Sequence, residues 1–484
     1  MLVRYIAVLA YVAMIVGIGI AGMRKTRSFT DYFLGGRNVG PWFTAFTYGT
    51  AYFSAVLFIG FAGKIGWAFG LSSLWVALGN TLVGTLFVWI VLGKRIKNET
   101  VRRNVHTMPE FLESRYNSPF LKYYSAIAIF IFLIPYTAAV FMGLSYLFES
   151  TFGLPYWTVL VFMGLFTSVY LVLGGYKSMT MIDFIFGIIM LFGVGVLLAS
   201  CITKGGGLLE IVSQLRAIDP KLAEPVGPPG LWPLLSLVIL TSVAPLAMPQ
   251  LLQKFYAIKD DRSVRIGTIA STIFALIITG VAYFTGALTR IFLNPTTNPA
   301  AFKQIGEQVV PNFDSLMPEL LTFAIPESLS VIILLLILSA SMSTLAALVL
   351  ISSSSIVKDI YGGAINKNAS DKKLMSLMRF TTAIFIVISV LLALLRPGII
   401  VTILSISWGA VASVFLGPFI WGILTKRASK FGAIVSSIAG LGTCMTLYFI
   451  WPASRAAQAG AIGMIVSLML GLILVPFGKT KTAK

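Results

Sequence analysis

Charge is what this 484-residue chain has least of. Asp, Glu, Lys and Arg together make up 11% of it, about half the share usual in a soluble globular chain. Histidine occurs once, at His106 in a basic stretch, which argues against imidazole-based catalysis or metal binding. Cysteine occurs twice, Cys201 and Cys444, both inside apolar runs, so no disulfide framework and no thiolate metal site is expected. There is no HExxH pair, no nucleophile elbow and no buried acid/base cluster, which argues against a membrane enzyme. The first apolar run lacks a basic leader and a small-residue exit, so no cleavable signal is expected. Together these absences exclude a soluble enzyme, a nucleic-acid binder and a disordered scaffold.

What is present is apolar. Hydrophobic residues account for 57% of the chain and aromatics for 13%. Thirteen runs are long enough to cross a bilayer. Their approximate limits are 4–23, 41–69, 71–93, 121–148, 156–174, 179–202, 231–254, 264–291, 328–356, 376–396, 399–424, 431–451 and 459–478. The 36 Lys and Arg residues form short clusters, not one patch, and most fall on one set of alternate loops. Arg24, Lys25, Arg27 and Arg37 open that set, the 94–122 loop and the Lys254–Arg265 loop continue it, and the C-terminal tail closes it. The positive-inside rule then puts the N-terminus outside and the C-terminus in the cytoplasm of a multi-pass plasma-membrane protein. The outer loops 203–230 and 292–327 carry much of the chain's acidity, with short amphipathic helices expected in them.

Two spans carry helix-breaking sequence. The second reads Thr47-Tyr48-Gly49-Thr50-Ala51-Tyr52-Phe53-Ser54, then Gly60, Gly63 and Gly66; the seventh reads Thr241 through Pro245 to Pro249. In hydrocarbon, irregular backbone survives only where it lines a cavity or is buried in protein. Interrupted spans at corresponding places in two halves point to a transporter with a midplane site; ordinary membrane-helix kinks are the plainer alternative. Asp183 is the one acid placed inside a span, a functional candidate unless it simply pairs with Lys177. Lys64 is the one cation placed well inside a span, and it is expected to snorkel to the outer surface. In the ninth span Ala340, Ser343 and Thr344 share a helical face. Their oxygens, opposite carbonyls freed by a broken helix, would make a neutral cage suited to a hard monovalent cation. The Ser352–Ser355 run is expected to bond back to its own helix.

Several stretches in this order resemble the sodium/solute symporter family over about residues 27–440. They are Asp31–Arg37, Thr107–Leu112, Leu147–Gly153, Gly174-Gly175 with Asp183, Met342–Leu345, Ser407-Trp408-Gly409 through Gly417-Pro418, and Lys430–Ala433. The resemblance implies an all-α polytopic membrane protein of the LeuT-type fold, with about thirteen helices. A leading helix and loop (1–40) would precede repeat one (41–202), inverted repeat two with the outer loops (203–424) and two trailing helices (425–484). It implies a sodium site from the carbonyls of Thr50, Phe53 and Ala340 and the hydroxyls of Ser343 and Thr344. Members with a second sodium use further serines, but Ala346 and Ala347 stand here, so one sodium per solute is expected, with Asp183 as a transient inner ion site.

Leu147–Gly153 looks most like the bacterial sodium/proline symporter branch. That branch carries aromatics on the seventh span where this chain has about Thr241 and Pro245. The cargo is therefore left as a small organic solute: an amino acid such as proline, a carboxylate or a sugar. Tyr52, Ser54, Asn80, Tyr136, Ser242 and Trp408 are the candidate pocket residues, aromatic walls with a few polar groups. Sodium, the solute and the bilayer are the expected partners, with no nucleic acid and no obligatory protein partner. Two rival readings stand beside sodium symport: proton coupling through Asp183, and a solute-binding membrane sensor.

Overall fold

The structure is a computed structural model that describes residues 2–23 and 29–476, without the side chains of 22, 23, 29 and 170–174. Arg24, Lys25, Arg27 and the tail lysines, which entered the orientation argument, lie outside the described residues. Among the described residues, eleven helices are long and apolar enough to cross a membrane. One of them, Val56–Arg102, breaks at Gly70 (φ +59°) into two spans, and the short apolar helix Tyr156–Val169 adds another. That reading reproduces the thirteen spans expected from hydropathy. The long helix Tyr156–Lys204 turns at Gly175 (φ +63°), where a Cβ would come within 3.0 Å of the Tyr32 ring.

Helix Ser330–Ser354 packs against Tyr156–Lys204, Pro119–Phe152 and the first half of span two, Pro41–Tyr52. It is buried almost throughout, as befits a helix that is apolar on all sides. Helix Ile400–Leu424 lies against Pro119–Phe152 and is covered by the trailing helices Lys430–Ile450 and Ala456–Ile473. Leu2–Met23 lies along Tyr156–Lys204.

Both expected breaks are present. Helix Pro41–Tyr52 stops at Phe53, which adopts extended dihedrals (φ −107°, ψ 96°). The chain becomes helical again at Ala55, and Ser54 Oγ accepts a hydrogen bond from Val56 N at 3.1 Å, starting the second half. In span seven, helix Leu231–Val243 passes into a short turn at Ala244–Leu246, leaves helical geometry at Ala247 and Met248, and restarts with Pro249 in the first turn of Pro249–Tyr256. Proline is tolerated there because a first-turn N–H has no intrahelical acceptor.

Three placements correct the sequence reading. Lys254 was grouped with exposed loop cations, but Pro249–Tyr256 folds inward and Lys254 is 0% exposed. Asp183 is not the sole acid within a span. Helix Ser330–Ser354 continues to Ile365, so Asp359 is also wholly buried, where the hydroxyl of Thr107 donates to it. Thr107 itself caps helix Met108–Tyr116, whose Glu110 accepts from His106 N at 2.7 Å. Burial alone would raise the Glu110 carboxyl, but His106 and Lys358 outweigh it and hold it below its ordinary value. Third, the outer loop 292–327 contains a β-hairpin, Phe302–Ile305 with Gln308–Pro311, besides the expected helix Phe313–Ala324.

Spans two and eight cross at a pair of glycines. A Cβ on Gly66 would lie 2.1 Å from the Gly286 carbonyl carbon, and one on Gly286 would lie 2.1 Å from the Ala62 carbonyl oxygen. Backbone cannot yield as a side-chain tip can, so Gly66→Ala should cost about 1–3 kcal/mol through overpacking. Thermal unfolding in detergent should show a clear loss for Gly66→Ala and almost none for Gly280→Ala, whose Cβ would meet nothing within 4 Å.

Candidate functional site

The site is built from the break in span two and the hydroxyl face of span nine. Thr344 Oγ1 lies 3.2 Å from the Thr50 carbonyl oxygen, 3.3 Å from that of Ala51 and 3.1 Å from that of Ala340. One hydroxyl has one proton, so it serves one of these three acceptors at a time. Ser343 Oγ donates to Thr50 Oγ1 at 2.7 Å, and Thr50 Oγ1 donates to the Phe46 carbonyl at 2.9 Å. The result is a buried cluster rich in oxygen and poor in protons, the environment in which a desolvated alkali cation is held.

Of the five expected cage residues, the structure thus brings Thr50, Ala340, Ser343 and Thr344 together. Phe53 caps the half-helix through its N–H, which donates to the Gly49 carbonyl at 3.0 Å. The carbonyl in direct reach of Thr344 besides that of Thr50 belongs to Ala51. Asp183 is wholly buried in the neighbourhood of Ser343 and Thr47, and neither of its carboxylate oxygens has a well-formed hydrogen bond among the described residues.

Next to the break is a cavity of about 30 Å³. Tyr52, Ser54, Asn80, Tyr136 and Trp408 line it, joined by Tyr283 and Thr241, which the sequence reading did not single out for the pocket. Ser242 stands behind this wall, its hydroxyl donating to Asn80 Oδ1 at 3.1 Å. The Tyr52 ring stacks on Trp408 (6.0 Å between centroids, 27°), and Tyr136 meets Trp408 edge-on at 5.8 Å. Tyr52 OH donates to the Thr241 carbonyl at 2.6 Å, tying the two broken spans together. Trp408 Nε1 is buried without an acceptor. Among the described residues, no Lys, Arg, Asp or Glu lines the cavity. Its volume holds about two waters, so a solute is admitted only when the helices move.

A larger cavity, about 190 Å³, is lined by Lys64, Thr402, Ser405 and Gln458 among others. Lys64, expected to snorkel to the outer surface, is only partly exposed, its ammonium 5.9 Å from the centroid of the Phe313 ring. Asp314 beside it accepts from Ile400 N at 3.2 Å, capping helix Ile400–Leu424. Half of the Ser352–Ser355 run follows the expectation: Ser354 and Ser355 bond back to the Ile351 and Ser352 carbonyls, Ser353 pairs with Thr382, and Ser352 Oγ has no partner among the described residues.

Broken helices around a buried cage and an aromatic cavity define a multi-pass membrane transporter with a midplane site. Residues 32–440 match the Sodium:solute symporter family. The chain belongs to that family, and its activity is sodium-coupled solute transport, not enzymatic chemistry. It is 27% identical over 480 residues to the osmoregulated proline transporter OpuE of Bacillus subtilis, covering 96% of this chain and 92% of that one. It is 29% identical over 452 residues to the sodium/pantothenate symporter of Haemophilus influenzae, covering 90% and 88%. A solved Na+-coupled sialic acid symporter, substrate-bound and outward-open, superposes with a TM-score of 0.82 at 17% identity and 99% coverage of both chains, a likeness of fold.

Burial raises the Asp314 carboxyl to about 6, although the Ile400 N–H and Lys64 oppose the shift. A carboxyl raised in the fold favours the protonated folded form. Its stabilising contribution is complete below the unfolded value near 3.8 and is lost as pH climbs through about 6. Thermal unfolding followed from pH 4 to 7 should therefore show a decline, on the order of 2–3 kcal/mol, that Asp314→Asn lacks.

Proposed function

We propose that this protein imports a small organic solute together with one sodium ion, held by the Thr50 and Ala340 carbonyls and the Ser343 and Thr344 hydroxyls. The Ala51 or Phe53 carbonyl completes the cage. The observation that carries this reading is the convergence of three backbone carbonyls on the single hydroxyl of Thr344. Sodium would join span two to span nine and hold the break in order, while the solute sits beside it among Tyr52, Ser54, Asn80, Tyr136 and Trp408. Repeats 41–202 and 203–424 would then rock about the site to open it to the cytoplasm. Asp183 is a transient station below the cage. The chain would sit in the plasma membrane with its N-terminus outside and its C-terminus inside.

The cavity's chemistry favours a solute with a carboxylate, as in an amino acid such as proline or a pantothenate-like acid. With no cationic side chain in the wall, sodium, the positive end of the second half-helix and the free Trp408 N–H supply the attraction. One charge crossing 100 mV gains about 2.3 kcal/mol. With a roughly tenfold sodium gradient, one ion supports roughly 3.7 kcal/mol of accumulation, several hundredfold. Proton coupling through Asp183 is the alternative; solute uptake without sodium that Asp183→Asn abolishes would favour it.

Purified protein should be stabilised against heat by sodium chloride over potassium or choline chloride at equal ionic strength. Ser343→Ala/Thr344→Ala should abolish that difference; an unchanged sodium effect in the double variant would remove the cage from consideration. Trp408→Phe keeps the aromatic wall but deletes the donor, so KM for the solute should rise on the order of tenfold with Vmax little changed. Radiolabelled uptake across a solute concentration series checks this.

A further inference from the structure

A cavity of about 280 Å³ opens beside the start of the leading helix and shares no lining residue with the cavity at the break. Its wall comes from four parts of the fold: Arg4 of helix Leu2–Met23, the last turns of Pro119–Phe152, the helix Phe313–Ala324 with the Glu327 turn, and the first turns of Ser330–Ser354. Ser150, Thr151, Thr322, Glu327 and Ser330 make much of that wall polar. Arg4 Nε donates to Ser330 Oγ at 3.0 Å, and Ser330 Oγ donates in turn to the Glu327 carbonyl at 2.7 Å. Arg4 Nη1 reaches the Thr151 carbonyl at 3.4 Å, and Nη2 stands 3.8 Å from Glu327 Oε1.

The plain reading is a helix cap, since a cation near a helix C-terminus satisfies its last carbonyls. That accounts for Thr151. It does not account for the room left beside the guanidinium, nor for an ion pair held at 3.8 Å whose carboxylate is 81% exposed. Such a loose pair contributes little by itself. A guanidinium is a planar fork of five donors that matches phosphate oxygens. A simple anion in the cavity would be attracted by Arg4 and repelled by Glu327. A ligand with an anionic group beside a cationic one meets both side chains favourably. The leading helix also faces lipid: the rest of the protein covers little of it, and Leu2, Val3, Ile6 and Leu9 are exposed. An arginine so near the end of a span lies at the level of the lipid headgroups.

We propose that this cavity seats the headgroup of a membrane phospholipid bearing a primary amine, its phosphate on the Arg4 guanidinium and its ammonium against the Glu327 carboxylate. Charged pockets between spanning helices are places where headgroups lodge. The acyl chains pass into the bilayer beside the leading helix. A seated headgroup joins that helix, which stands outside the two repeats, to the start of span nine. The chemistry recognised is a phosphate next to an ammonium, which water-soluble phosphoethanolamine shares without the chains. The site has no residue in common with the cage, so it stands whether or not the cage holds sodium.

The test is thermal unfolding of delipidated protein in detergent, titrated with phosphatidylethanolamine, phosphatidylcholine and phosphatidylglycerol of matched chains, and with phosphoethanolamine. Phosphatidylethanolamine should raise the unfolding temperature most. Phosphatidylcholine carries the phosphate, but its quaternary nitrogen donates no hydrogen bond to Glu327, and phosphatidylglycerol has no cation at all. In Arg4→Gln the half-maximal phosphatidylethanolamine concentration should rise on the order of tenfold, the loss expected for one charge-assisted contact. Glu327→Gln, at an exposed position, should fold as wild type and bring phosphatidylglycerol level with phosphatidylethanolamine. Arg455→Gln, which removes an arginine that lies over the Trp451 ring, should keep the wild-type preference. If Arg4→Gln is too unstable to titrate, Glu327→Gln decides the matter. Equal responses of wild type to the three lipids overturn the proposal, as does a preference left intact by Glu327→Gln or by a folded Arg4→Gln. Phosphoethanolamine as effective as the lipid at equal concentration overturns the lipid assignment in favour of a soluble ligand.

Discussion

The structure depends on carbonyl groups that a helix has given up. Where span two stops at Phe53, the last carbonyls of its first half have no N–H ahead of them, and no water in the bilayer core can replace one. Span nine answers with Thr344, whose single hydroxyl stands within 3.1–3.3 Å of the carbonyls of Thr50, Ala51 and Ala340. That leaves more acceptors than protons, a shortage that a sodium ion bound at the proposed cage would resolve. The same shortage would make the ion useful for transport. Bound, it would tie span two to span nine; released, it would leave the two helices joined by the hydroxyl contacts of Ser343 and Thr344.

Electrostatics follow from this arrangement. The cage and the cavity are neutral, so a sodium ion bound as proposed would bring a net charge that the membrane potential can drive. The buried acids Asp359 and Asp314 lie outside the cage: Asp359 accepts from Thr107, and Asp314 caps the Ile400 helix. Both sit where two elements meet, span nine with the 107–116 helix and the helix Phe313–Ala324 with Ile400–Leu424. Such pairs are weak stabilisers once desolvation is counted. They are well suited to holding one arrangement of helices until an ion or solute supplies a better one.

Much of this was legible in the sequence because the membrane enforces simple rules. Gly, Ser and Pro at residues 47–54 and 241–249 mark broken backbone, since few other sequences interrupt a span. Ala340, Ser343 and Thr344 announce a shared face through their spacing alone. The reading failed where a residue's surroundings are set by distant chain. Lys254 follows Pro249 at the end of an apolar run and looks like the start of a basic loop; only the inward fold of Pro249–Tyr256 buries it. Tyr283 carries no pattern separating it from packing aromatics, yet it reaches the cavity. Ser242 has the right helix and nearly the right turn, but its hydroxyl supports Asn80 from behind. The Phe302–Pro311 hairpin is too short to leave a periodicity.

The central claim is that one sodium ion drives one solute through this site. The direct measurement is the ratio of radioactive sodium to labelled proline or pantothenate entering proteoliposomes, with a sodium gradient imposed and pH equal on both sides. The account predicts solute accumulation accompanied by one sodium per solute and by inward positive current. Accumulation that proceeds without sodium, or that needs a proton gradient instead, would contradict it.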